Sequence, residues 1–504
     1  SDEEEEEEEE EQAEVHPEAR VFQGSRKRLP SEVRVDVRKY YVELDYMFKL
    51  LEEGTIKLIK GTWLLARSKA VPFEPLPSHQ DLPHEAVVNV DDLRKVAQNE
   101  KMNSGDLSAI VAISHCWISQ DHPDPKGGLL EELSPVIESY LAEVHSQFPE
   151  LKDFEGAFFF AWCSLSQPYH AKQDGVYRRL EESGLTKDQE LVWRRALENM
   201  DLWYTHQKTA VWMLTNYHAG QGRCYEDRGW CTWESTVANI ISSPGSVLDL
   251  GKIKDTIYPA PHDYFVIRKA CRCRQMLTPA PDDFSEALKD KHFTTGQIDR
   301  DLVTANYARN LSHALSCIDT LDRQMTGCSA EDFASFCKCL NFCSNLVNVY
   351  LHQNKIGADG ACNLARGLKH CSILEKLWLN GNEFGDTGAC ALADGLKTCS
   401  NLKILWLHKN EIGDAGARGL ADGLKCCSKL ERFGVNGNRI GNAGACFLAD
   451  GLQWCGELGV LGFSHNQIGD AGACGLADGI KDCSFLWELY LGRNKIGDAG
   501  ACGL

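Results

Sequence analysis

Apolar positions in the last third of the chain return with a fixed period. From Leu346 the pattern repeats every 28 residues, with asparagine at Asn354, Asn382, Asn410, Asn438, Asn466 and Asn494 and cysteine at Cys343, Cys371, Cys399, Cys427, Cys455 and Cys483. One unit, residues 374–401, reads LEKLWLNGNEFGDTGACALADGLKTCSN. Its first nine residues follow LxxLxLxxN, the pattern of a short strand and turn, and Ala391, Leu392 and Leu396 continue at helical spacing. A lone strand–helix unit cannot bury its apolar face, so the units are expected to stack. The asparagine amides are then placed to satisfy backbone groups where the chain turns. Five units are complete and a sixth breaks off at Leu504. The close thiols of CKCLNFC, residues 337–343, fall in the same frame, with Leu340 in the leucine column and Cys343 in the cysteine column. That makes the segment a degenerate first repeat rather than a metal site.

Residues 101–260 are patterned differently. LSAIVAIS (107–114), GAFFFAWCSL (156–165) and TAVWMLT (209–215) are apolar runs of strand length without clean alternation, as in strands buried on both faces. Helical stretches at 129–147 and 188–204 separate them. The order predicts βαβ units and a parallel sheet covered on both sides. In CYEDRGWCTWES, residues 224–235, Trp230 and Glu234 lie four apart, and Trp233, Val237 and Ile241 continue at helical spacing. The segment is expected to be a helix with a carboxylate at the edge of its apolar stripe.

Ligands of open parallel sheets sit beyond the carboxyl ends of the strands. Expected there are Ser114-His115-Cys116-Trp117 after the first run, Ser164-Leu165-Ser166-Gln167 after the second and Asn216-Tyr217-His218 after the third, followed by RGWCTWE. The candidate pocket around Glu234 is therefore His115, Trp117, Ser164, Gln167, Tyr217, Arg228 and Trp230.

Charge changes the picture at one end only. Residues 1–24 hold twelve acids against one base, leaving 61 acids and 52 bases for the rest. The run repels itself and buries nothing, so 1–24 is expected to be a disordered acidic tail. The remainder is only mildly acidic and has no basic stripe, which argues against nucleic acid as a partner. Residues 25–100, with the proline-rich PFEPLPSHQDLP at 72–83, are expected to form an extension packing on the α/β domain. Residues 261–330 form a helical bridge, clearest at 302–321, and 331–504 are the repeats. No apolar run approaches the length of a membrane span and no signal peptide opens the chain. Half of the array's cysteines recur at one repeat position, which indicates packing rather than disulfides. A cytoplasmic protein without membrane contact is expected.

The LxxLxLxxN units resemble the leucine-rich repeats of the ribonuclease-inhibitor type, also found in nucleotide-binding immune receptors, over about residues 330–504. The resemblance implies a curved solenoid with parallel strands inside, helices outside and a protein ligand on the concave face. The fifth position of the pattern, which points to that face, holds Tyr350, Trp378, Trp406, Gly434, Gly462 and Tyr490. The seventh holds His352, Asn380, His408, Asn436, Ser464 and Gly492. Aromatic side chains are favoured interface anchors, so Tyr350, Trp378, Trp406, His408 and Tyr490 are the expected contacts. The alternative is that neighbouring rings stack only on each other.

Trp230-Cys231-Thr232-Trp233-Glu234 is similar to the W-C-x-x-E motif of Toll/interleukin-1-receptor (TIR) domains as written in plant immune receptors. AISHCW, HPDPKGG and YEDRGWCTWE together resemble TIR-like and heterokaryon-incompatibility domains over roughly residues 105–245. This implies a flavodoxin-like α/β domain that self-associates, in an intracellular receptor or scaffold, with NAD as a substrate rather than a bound cofactor. In the NAD-cleaving members the motif's glutamate is catalytic, a role that carries over to Glu234. A carboxylate held against the ribose stabilises an oxocarbenium-like transition state, and Trp117, Tyr217 and Trp230 would exclude water. The chain departs from the family pattern in the second run, with Ala161 where aspartate is frequent and Ser166 where proline is usual. Many TIR-type domains only self-associate, so a non-catalytic scaffold is the alternative.

Other chemistry is weaker. His115 and Cys116 are neighbours on an extended chain and point to opposite faces. Cys271-Arg272-Cys273 lacks further ligands at metal spacing. GSVLDLGKI, residues 245–253, has five residues between its glycines and no Ser or Thr after the lysine, so it is not a phosphate loop. No metal is expected.

Overall fold

Among the described residues two parallel sheets, one of four strands and one of seven, organise the chain. The computed structural model describes residues 40–504 except 71–74, 100–101, 103–106, 118–121, 126–127, 166–169, 174–175, 180–185, 217–223, 242–244, 254–262, 274–275, 294–295 and 482. The acidic run 1–24, Ser166, Gln167 and Tyr217 therefore lie outside the described residues.

The first sheet contains β1 (Ile110–Ser114), β2 (Ala157–Phe160), β5 (Thr209–Met213) and β6 (Val247–Asp249), all parallel, in the order β2-β1-β5-β6. Counted within this sheet the order is 2-1-3-4, as in flavodoxin-like folds. Every residue of β1, β2 and β5 is buried, which accounts for their unbroken apolar runs. The helix Gly128–Gln147 covers one face, where Tyr140 packs edge-on against Phe158 and Trp212. The helices Met200–Thr205 and Gly229–Ala238 cover the other, where Phe159 stacks on Trp203 with ring centroids 5.3 Å apart. A two-stranded antiparallel hairpin, β3 (His170–Gln173) and β4 (Val176–Arg179), stands apart from this sheet.

The second apolar run is only half strand. After Phe160 the chain enters a one-turn helix, Ala161–Ser164, whose end is tied by the Phe160 N–H donating to the Ser164 hydroxyl. The outer edge of β2 is occupied by Ile59, which exchanges two backbone hydrogen bonds of 2.9 Å with Phe158. This short antiparallel bridge covers an edge that would otherwise present unpaired backbone groups. The segment before β1 is also held by Tyr41, whose hydroxyl donates to the buried Asp201 at 2.7 Å.

The second sheet has seven strands in sequential order: β7 (Thr320–Asp322), β8 (Asn348–Tyr350), β9 (Lys376–Trp378), β10 (Ile404–Trp406), β11 (Arg432–Gly434), β12 (Val460–Gly462) and β13 (Glu488–Tyr490). It thus begins earlier than residue 331. Thr326 stands one period before Asn354 and bonds to it through both its N–H and its hydroxyl, so a further turn joins the array without a recognisable motif.

The asparagine column forms a continuous ladder. The amide nitrogen of Asn410 donates to the carbonyls of Leu379 and His408, and its Oδ1 accepts from Asn382 N at 2.8 Å. Asn382 and Asn438 make the corresponding bonds on either side. A second ladder runs along the seventh position, from Asn380 to the His408 N–H, from His408 Nδ1 to the Asn436 N–H and from Asn436 to the Ser464 N–H. A third caps the helices across repeats: Asp386 Oδ1 accepts from Gly413 N and Gly416 N, and Asp414 Oδ1 from Gly441 N and Gly444 N. Helices approach closely because Gly395 and Gly451 face backbone, where a Cβ would lie 2.9 and 2.6 Å from atoms of Ala365 and Ala421. The cysteine column is buried, and its thiols donate to carbonyls such as Gly395 O and Leu396 O.

Replacing Asn410 with alanine strands buried backbone groups of two repeats and is expected to cost about 2–4 kcal/mol. The measurement is urea unfolding of the chain beside Ser400→Ala, an exposed site expected to change stability by less than about 0.5 kcal/mol.

Candidate functional site

At the topological switch point, between β1 and β5, the chain runs outward in opposite directions, and the carboxyl end of β1 opens onto the helix Gly229–Ala238. Ser114, the last residue of β1, donates its hydroxyl proton to Glu234 Oε2 at 2.5 Å and also meets the Tyr225 hydroxyl. The Tyr204 hydroxyl lies beside the same carboxyl and donates to the Ile113 carbonyl at 3.3 Å. Glu234 is 7% exposed, and its partners among the described residues are hydroxyls rather than a base. Burial therefore dominates and raises its pKa from 4.5 to about 8, although the Ser114 hydrogen bond and the nearby Tyr204 hydroxyl pull the other way. At neutral pH the carboxyl is mostly protonated.

The helix is clamped at both ends by segments far along the chain. At its start, Gly229 N donates to His292 O at 2.9 Å and His292 N donates to Asp227 O at 2.8 Å. A Cβ on Gly229 would fall 1.9 Å from the Phe293 ring, so the glycine of RGWCTWE serves close packing. At its end, the buried Arg323 donates from Nη2 to the carbonyls of Asn239 and Ile240, both at 2.8 Å. Arg323 directly follows β7, and its own carbonyl accepts from Asn354, the first asparagine of the ladder. Burial lowers the Arg323 pKa to about 10, with Asp322 acting in the opposite direction.

The other candidate residues are distributed around this helix. Arg228 donates to Trp117 O at 2.7 Å, bringing those two together. Trp230 is half-buried and packs edge-on to Trp233, and Trp117 packs edge-on to Trp162. His115 is buried near Phe160, with ring centroids 6.5 Å apart. Ser164 is fully buried, with its hydroxyl engaged by Phe160 N. Sequence reasoning missed Ser114 as the hydrogen-bond partner of Glu234, and Tyr204 and Tyr225 beside it, because nothing in their spacing relates them to it. It also missed that Cys116 and Cys231 bring their sulfurs to 3.6 Å beside the same helix turn.

On the array, Tyr350 and Trp378 pack edge-on with centroids 4.9 Å apart, and Trp406 stacks on His408 at 5.1 Å. Trp406 leans along the face over Gly434, where a Cβ would lie 2.5 Å from its ring. These four side chains are half-buried, and Tyr490 on β13 is exposed. His408 is held neutral, its pKa lowered to about 4 by burial and by Lys409, which suits its ring as an acceptor in the second ladder. The Nε1 of Trp378 and the Nδ1 of His352 have no hydrogen-bond partner among the described residues.

The family model for leucine-rich repeats matches residues 370–393, 398–421 and 482–503. No curated protein matches the chain. Similar solved structures include an internalin C2 from Listeria monocytogenes, 20% identical over 37% of this chain and 76% of that one, with a TM-score of 0.26. A second Listeria monocytogenes internalin is 14% identical over 38% of this chain and 86% of that one, with a TM-score of 0.16. The C-terminal part is thus an array of leucine-rich repeats behind a mixed α/β region with a parallel sheet, and such repeats point to a protein-interaction role. Among the described residues no helix is long and apolar enough to cross a membrane.

Two outcomes follow from the clamped helix. The folded chain binds the Glu234 proton more tightly than the unfolded chain. Stability from the neutral carboxyl is therefore full below about pH 4.5 and is lost as pH rises to about 8. Glu234→Gln, which mimics the neutral form, should flatten this slope and stabilise the protein at pH 8 by about 1–3 kcal/mol, read from thermal unfolding across pH. Arg323→Ala should cost about 1–3 kcal/mol and speed amide exchange at Val237–Ile241, read by hydrogen-exchange mass spectrometry.

Proposed function

We propose that the chain is a receptor or scaffold inside the cell that captures a protein partner on the concave face of its repeats. The observation that carries this reading is the aromatic ridge of Tyr350, Trp378, Trp406 and His408. Its rings are only half-buried, so part of each stays open to solvent. Large rings left part-open on a curved surface are suited to anchor a partner. In this reading the α/β domain is the TIR-like signalling module, which self-associates when the array is engaged. The flavodoxin-like strand order supports the module's fold, and Arg323 supplies a physical link from the array to the Glu234 helix.

A second reading, NAD hydrolysis at Glu234, is favoured by one specific observation. The residue lies at the carboxyl end of β1, where open parallel sheets bind ligands. Its burial among hydroxyls and its mostly protonated state at neutral pH favour the non-catalytic scaffold instead. An oxocarbenium-like ribose is stabilised by a carboxylate, not by a carboxylic acid.

The test is affinity capture from cell extract by the parent chain and by a Trp378→Ala, Trp406→Ala double variant, followed by titration of the captured protein. The double variant should bind it at least about tenfold more weakly, since two central anchors are removed. Equal binding would sink the ridge as the contact. Nicotinamide release from NAD by the full chain, absent in Glu234→Gln, would establish the second reading. Silence from a folded, concentrated parent would leave the scaffold.

A further inference from the structure

Beside Glu234 lies a pair of thiols that neither partner capture nor NAD chemistry uses. Cys116 follows β1 by two residues and Cys231 stands in the first turn of the ten-residue helix Gly229–Ala238. Each is 3% exposed, and their sulfurs lie 3.6 Å apart although 115 residues separate them in sequence. We propose that Cys116 and Cys231 are a redox-active dithiol that closes to a disulfide on reaction with a small uncharged peroxide.

The geometry sets this pair apart from the array cysteines. Cys399 and Cys427 point their sulfurs at backbone carbonyls and are held by repeat packing, whereas Cys116 and Cys231 point at each other across two elements. A disulfide spans about 2.05 Å between sulfurs, so closure needs an approach of about 1.5 Å, within reach of side-chain rotation and a small helix shift. The two thiols are also unequal. The hydrogen bond from Cys231 and the Arg228 guanidinium favour the thiolate on Cys116, and the same contact with burial pushes Cys231 up. Cys116 is therefore the attacking sulfur and Cys231 the resolving one.

The chemistry closes with hydrogen peroxide as the oxidant. The Cys116 thiolate attacks one peroxide oxygen, the O–O bond breaks and hydroxide leaves, taking up a proton to become water. Cys116 is then a sulfenic acid. Cys231 attacks that sulfur, the S–O bond breaks, and the Cys231 proton departs with the oxygen as a second water. Two thiols and one peroxide thus give one disulfide and two waters. Burial selects the oxidant, because a bulky disulfide such as oxidised glutathione cannot reach sulfurs this enclosed in the folded chain. The new bond would staple the end of β1 to the helix that carries Glu234, with or without any activity at that residue.

The test uses the full reduced chain, treated with hydrogen peroxide, blocked with an alkylating agent and mapped by mass spectrometry. The expected product is a cross-linked peptide pair joining Cys116 to Cys231, lighter than the two reduced peptides by two hydrogens and released by dithiothreitol. Oxidised glutathione should not form it under the same conditions. In Cys231→Ser, Cys116 should stop at a sulfenic acid trapped by dimedone. Recovery of both residues as alkylated thiols, while other cysteines of the folded parent oxidise, would overturn the proposal. So would a parent cross-link from Cys116 to any cysteine other than Cys231. Both readings come from the parent chain, so they stand even where a serine variant fails to fold.

Discussion

In this chain each structural unit depends on a neighbour to satisfy its buried backbone groups. The asparagine of one repeat accepts the N–H and donates to the carbonyls of the repeat before it, and from Asp414 onward each repeat helix is capped by the aspartate or asparagine of its predecessor. Buried N–H and C=O groups without partners are costly, so no single repeat is stable alone and the array holds together as a stack. The same rule reaches the α/β region. Arg323 caps the Glu234 helix with its guanidinium and gives its carbonyl to the first ladder asparagine, so one residue closes both accounts.

That arrangement bears on what Glu234 can do. A carboxyl enclosed by Ser114, Tyr204 and Tyr225 is a good interior lock while neutral and a poor charge stabiliser until it loses its proton. Motif and chemistry thus pull apart at this residue. The W-C-x-x-E spacing is intact, yet the environment favours the acid form. The aromatic ridge of the array carries no such conflict. Its rings pack on one another along the array and remain only half-buried.

Much of this was legible in the sequence, and for a definite reason. A 28-residue period exposes the repeats because each column has one physical duty: leucine for the core, asparagine for the turn, small residues where helices meet. Unbroken apolar runs likewise mark buried parallel strands, since both faces of β1 and β5 are covered. The exceptions are instructive. GAFFFAWCSL reads as one strand but turns into a helix after Phe160, because the local hydrogen bond of Ser164 competes with the ladder. The first array strand, Thr320–Asp322, is as short as the others, but Arg323 and Thr326 stand in the leucine and asparagine columns, and only its pairing with β8 reveals it.

The candidate site divides along the same line. Spacing alone placed Trp230, Trp233 and Glu234 on one helix, because a period of 3.6 residues is a local property. The company of Glu234 was settled only by tertiary structure. Ser114 stands 120 residues before it, Arg323 caps its helix from the far side of the bridge, and Cys116 meets Cys231 across the switch point. Contacts between distant segments depend on how the sheet and the array fold back on one another. A sequence pattern records the duties of neighbours along the chain, whereas burial, protonation and thiol pairing are decided by neighbours in space.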